Sequence, residues 1–211
     1  MVGGRPQYRD KSAGFTIIEL LLATAIFSAV IVVALASFLG VSRLFYKGVT
    51  TTQTQQTARH ILDVVSSDIQ SASTPVQVKS TTDGRSYTCI GSARYIYKLN
   101  NPVNLGDHND TEKFGLLRDS LPGNSSCLNP YVDDGGGVLP PSNAVELLGN
   151  GMILSSLEIS PFGNSTTYTL KIKLATGDDD LSTPEATCDS NLAASQNCAI
   201  TELSTTVSEG I

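Results

Sequence analysis

The chain has 211 residues, 16% of them charged, with no Trp, two His and a net charge of −6. That length suits one domain with a real core plus a helical extension. Arg5, Arg9 and Lys11 outweigh Asp10 in the first fourteen residues. The body beyond them is acidic and lacks the cationic surface that broad nucleic-acid binding needs.

The first element is an apolar segment. Leu20 to Val41 carries no charge and no Pro, and 22 helical residues at about 1.5 Å each reach roughly 33 Å, enough to cross a bilayer. Basic residues flank both ends: Arg5, Arg9 and Lys11 before, Arg43 and Lys47 after. They favour a cytoplasmic N-terminus only weakly. All four cysteines, Cys89, Cys127, Cys188 and Cys198, lie beyond the segment. An even count confined to one side reads as two disulfides in an oxidising compartment, which puts the C-terminal body outside. Three pairings are open; the most local joins Cys89 to Cys127 and Cys188 to Cys198. No C-x-x-C and no His pair supports zinc.

Three functions compete for the segment. A secretory signal peptide would be cut after Ala34-Leu35-Ala36 and leave a chain starting at Ser37. A plain anchor would stay intact. The third reading starts from Glu19, a carboxylate at the leading edge of the apolar run. An intramembrane acid is costly and marks a functional residue whose partner must be named. Cleavage between Gly14 and Phe15 supplies one, the new α-amino group of Phe15, four residues away. An amine and a carboxylate about 4 Å apart attract by roughly 4 kcal/mol at an effective dielectric near 20. In a single chain the pair spans one helical turn; in a bundle Glu19 can instead meet Phe15 of a neighbouring helix, which fixes axial register, because any other register leaves a buried charge unpaired.

The stretch Lys11-Ser12-Ala13-Gly14-Phe15-Thr16-Ile17-Ile18-Glu19 resembles the signal of type IV prepilins and pseudopilins: a short basic leader, Gly at the cut, Phe, Thr, two aliphatics, Glu, then about twenty apolar residues. The resemblance covers residues 5 to 45. It implies that Gly14 ends a leader removed by the membrane prepilin peptidase, that Phe15 is N-methylated, and that Glu19 serves assembly. It implies other pilin subunits and an inner-membrane assembly platform as partners. The chain would sit first in the cytoplasmic membrane, single-pass with its N-terminus inside, and then in an extracellular filament. Many major pilins have a Pro mid-segment where this chain has Ala36, which tilts the reading toward a minor pilin or pseudopilin.

Residues 50–57 are polar and uncharged. Ala58, Ile61, Leu62, Val65 and Ile69 then recur at three- and four-residue steps, an amphipathic stripe, with Arg59, Asp63 and Asp68 set away from it and Pro75 ending the run. The pattern predicts one helix from about 15 to 73. Residues 1–14 form the leader, 15–41 the membrane or filament-core half, 42–73 the amphipathic continuation and 74–211 a β-rich head. Strands are expected at Tyr168–Leu174, Ile153–Ile159, Ser86–Ile90, Ala93–Leu99 and Ala199–Val207. The expected fold is α+β: the helix stripe covers one face of an antiparallel sheet, a layout that pilin-family heads share.

No catalytic constellation emerges. His60 and His108 are isolated, and no nucleophile motif stands in a useful context, so an enzyme is not expected. Asp178, Asp179 and Asp180, with Glu185 nearby, form the densest acid cluster. Such oxygens can hold Ca²⁺, as in some pseudopilin heads, but without an EF-hand rhythm they read as a solvated turn, and no cofactor is expected. Asp133-Asp134 before three glycines reads as a turn or flexible tip, and the sequons at Asn109, Asn124 and Asn164 as chance matches in a Ser/Thr/Asn-rich chain that at most mark surface loops. The alternatives still open are a major pilin and a membrane-anchored or secreted binding domain that never polymerises.

Overall fold

The computed structural model describes residues 14–80, 85–101, 103, 114–121, 127, 129–130, 143–163, 166–177 and 198–210. Helix α1 spans Ile17–Ser71 and, among the described residues, eight strands follow it. The chain divides into two units, Met1–Arg43 and Leu44–Ile211.

In the first unit every residue from 14 to 41 is exposed. Its hydroxyls turn back on the helix: Thr24 Oγ1 donates to the Leu21 carbonyl at 3.0 Å, Ser28 Oγ to Thr24 at 2.7 Å and Ser37 Oγ to Val33 at 2.9 Å. The apolar surface therefore carries no orphaned side-chain donor from these three residues, as a lipid environment demands. Helix α1 is long and apolar enough to cross a membrane.

In the second unit the helical stripe is buried as expected. Ala58, Ile61 and Ile69 have no exposed surface, and Leu62 and Val65 almost none. They share one core with two antiparallel sheets rather than the single sheet that economy suggested. The first has the order β1 (Gln77–Ser80), β2 (Arg85–Ile90), β3 (Ala93–Lys98), β4 (Leu116–Ser120), β5 (Val145–Glu146); the second has the order β6 (Met152–Pro161), β7 (Thr167–Thr176), β8 (Ala199–Ser208). Tyr95, Tyr97 and Leu116 from the first meet Leu154, Leu170, Ile172 and Val207 from the second over the stripe. A bulge between Leu154 and Ser156 shifts the register of β6 against β7, so Leu154 and Leu157 both reach the core.

The helix runs alongside β8 in the same direction. Near the start of β8, Thr54 Oγ1 and Thr176 Oγ1 lie 2.7 Å apart, and Thr176 faces Ala199. Past its end, the Gly210 N–H donates to the Gln70 carbonyl at 3.0 Å and satisfies a helix C-terminal acceptor. The β2–β3 hairpin needs its glycine: Gly91 has φ 57°, and a Cβ there would lie 3.2 Å from Ala72 Cα.

Strands β1, β4 and β5 are absent from the sequence reading. The four β1 residues are all exposed, Leu116–Ser120 alternates imperfectly, and β5 has two residues. None carries the two-residue period that reveals a half-buried strand. Asp68 is a correction: it does not point away from the core side but toward the first sheet.

Candidate functional site

The residues from which processing and assembly are expected, Gly14, Phe15 and Glu19, lie at the N-terminal edge of α1. Gly14, Phe15 and Thr16 precede the helix in extended or irregular backbone. Nothing lies within 4 Å of a Cβ built on Gly14, and Phe15 is 87% exposed. The described side of the Gly14–Phe15 junction is thus exposed.

Thr16 and Glu19 form a reciprocal cap. The Thr16 N–H donates to Glu19 Oε2 at 2.9 Å, the Thr16 hydroxyl to the same oxygen at 3.0 Å, and the Glu19 N–H to Thr16 Oγ1 at 3.3 Å. The first turn closes as the Leu20 N–H meets the Thr16 carbonyl at 3.2 Å. This is the Ser/Thr-x-x-Glu capping box. Sequence reasoning passed over it, though Thr16 three residues before Glu19 at the head of an apolar run was the available signal. Glu19 therefore has a use before any cleavage: its negative charge lies at the positive end of the helix dipole and takes up an otherwise orphaned N–H.

The head contains a second constellation that sequence reading missed. Asp68, on the helix, accepts two hydrogen bonds from Arg118 of β4, both at 2.8 Å, and one from the Tyr95 hydroxyl of β3. Burial, reinforced by the Asp68 carboxylate, pushes the Tyr95 phenol well above its ordinary value. The Asp68 hydrogen bonds hold Arg118 more firmly charged. The cluster clamps helix to sheet. On the opposite face of the first sheet, Arg94 and Asp119 form a buried ion pair. Glu146 accepts from the backbone N–H groups of Gly115, Leu116 and Leu148 at 2.9–3.0 Å.

Cys89 of β2 is joined to Cys127 by a disulfide with Cα atoms 5.8 Å apart, and Cys198 is also disulfide-bonded. Cys188 lies outside the described residues. So do Asp178, Asp179, Asp180, Glu185, His108, Asp133, Asp134 and the sequon asparagines Asn109, Asn124 and Asn164. Among the described residues no group of His, Cys, Asp or Glu is placed to hold a metal ion.

Residues 9–35 match the prokaryotic N-terminal methylation motif, the type IV prepilin signal. The motif supports a protein of type IV pilin or pseudopilin type, and the layout of one long helix with antiparallel sheets behind it is pilin-like. The signal implies a substrate of prepilin peptidase that assembles into pilus-like filaments. With its apolar helix, the chain fits a membrane-anchored pilin. No curated protein and no solved structure matches the chain.

Proposed function

We propose that this protein is a filament subunit, a minor pilin or pseudopilin, inserted in the cytoplasmic membrane with its N-terminus inside. It is cut after Gly14, methylated on Phe15 and drawn into an extracytoplasmic filament through helix α1. The observation that carries the reading is the N-terminal edge itself: an exposed Gly14–Phe15 junction directly before a capped helix whose first charged residue is Glu19. Glu19 is held by Thr16 in the uncut chain. Cleavage gives it a second partner, the Phe15 amine, and in a bundle of apolar helices that pairing sets axial register. The disulfide in the head fits folding on the oxidising side of the membrane. Ala36, where many major pilins have Pro, and the long head favour a minor subunit.

The test is Glu19→Ala, followed in membranes and in sheared filaments. Membrane insertion survives and incorporation into filaments falls if the reading holds. Unchanged incorporation contradicts it. Abundance of the chain relative to other subunits in the same filaments separates minor from major pilin.

A further inference from the structure

Strand β8 is the outer strand of the second sheet among the described residues, and none of those residues pairs with its outer edge. The Glu209 N–H donates to the Thr166 carbonyl at 2.8 Å, immediately beyond the Ser208–Thr167 pair. Antiparallel pairing alternates. Residues of the same parity, Val207, Thr205, Leu203 and Thr201, therefore turn their backbone groups toward β7. Ile200, Glu202, Ser204, Thr206 and Ser208 turn theirs outward. Gly210 confirms the parity, since its N–H points outward and reaches Gln70. Among the described residues nothing pairs with the five outward residues of β8. Natural edges are blunted by Lys, Pro or bulges; β8 has none of these and one charge, Glu202. Beside it runs a shallow groove lined by Arg59, Leu62, Asp63 and Ser66 of the helix and by Leu203, Ser204 and Thr205.

We propose that the β8 edge is a homotypic docking surface, taking β8 of a second copy in antiparallel, two-fold pairing. Three observations select that occupant. First, the five outward residues are symmetric about Ser204, so one register, Ser204 against Ser204, pairs all of them. Second, in that register the sheet faces match, because Glu202, Ser204 and Thr206 all present exposed side chains on one face. Glu202 then faces Thr206 of the mate rather than its own counterpart, and no like charges meet. Third, the two-fold reverses helix residues 54–70, which run with β8. Arg59 and Asp63, both exposed and one helical turn apart along the groove, then trade places in the second copy, so basic faces acidic from both sides. A two-fold contact closes on itself and adds one partner. It does not propagate a filament. It joins two heads and, where the heads belong to filaments, two filaments side by side.

The test is site-directed disulfide formation with the full chain in detergent. Ser204→Cys lies on the two-fold axis, where opposed Cα atoms are about 5.5 Å apart in a hydrogen-bonded pair, within disulfide reach. It forms a covalent dimer at least about tenfold faster than Lys171→Cys on the central strand, because pairing raises the effective concentration. Glu202→Cys alone crosslinks no faster than Lys171→Cys, whereas a mixture of Glu202→Cys and Thr206→Cys does crosslink faster. Ser204→Pro removes an N–H that has no partner among the described residues of one copy, so the head keeps its fold and the dimer is lost. Equal rates for Ser204→Cys and Lys171→Cys, or a dimer that survives Ser204→Pro, overturn the proposal.

Discussion

The cap that Glu19 forms and the ion pair proposed for it separate by chemistry. As the third residue of a capping box it needs a hydrogen-bond acceptor reaching back to Thr16, which Gln supplies as well as Glu. As the partner of a cleaved N-terminal amine it needs a charge. Glu19→Gln therefore preserves the helix start while removing the ion pair. We expect it to behave like Glu19→Ala in filament incorporation and like the parent chain in N-terminal helicity, measured by amide exchange of residues 17–20. Normal incorporation of the Gln variant would reduce Glu19 to a cap. Tyr95 gives a second residue-scale outcome. Its folded pKa is raised above the ordinary value near 10 by burial and by Asp68. Below pH about 10 the phenol is protonated in both states and its contribution is complete. As pH rises further the unfolded chain releases the proton first, so stability falls toward the raised folded value. Denaturation midpoints of the parent chain should drop relative to Tyr95→Phe above pH 10, and parallel curves would remove Tyr95 from the account.

Among the elements, the helical stripe was the most legible. Ala58, Ile61, Leu62, Val65 and Ile69 repeat with the period of a helix face, and burial enforces that period. β7 and β8 were legible for the matching reason, since alternation survives where one face packs on a core. β1 and β5 were not, because strands of four and two residues with exposed or mixed faces have no period to read. Asp68 was misjudged because helical phase assigns a side to a residue but not a partner. The partner, Arg118, lies 50 residues away, and only the tertiary fold joins them. The Cys89–Cys127 bridge acts at the same scale. It closes a loop with a sequence separation of 38, for which chain entropy gives a stabilisation of about 3–4 kcal/mol. Replacing both cysteines by Ser should lower the unfolding free energy of the head by roughly that amount in denaturant titrations. A loss below about 1 kcal/mol would mean that the reduced chain is already held together by other contacts.

At the scale of the whole molecule the apolar helix surface and the head follow different physics. From residue 14 to 41 nothing is buried among the described residues, and the proposed function places that surface against lipid or other helices. The head has a core of its own, built from the lower helix and two sheets. The methylation motif was readable in the sequence at the first unit, because such a signal depends on local order: Gly14, Phe15, Thr16 and Glu19 lie within six residues. The head was less legible, because the Asp68 clamp and the order of its strands arise from pairings between distant strands and the helix.

The central claim is that the chain is cut between Gly14 and Phe15 and goes on with Glu19 as an internal acid near a new amine. Mass spectrometry of the mature N-terminus, from native membranes and sheared filaments, tests it directly. The account predicts a chain beginning with N-methylated Phe15. A chain beginning at Ser37, or an intact Met1, would contradict it.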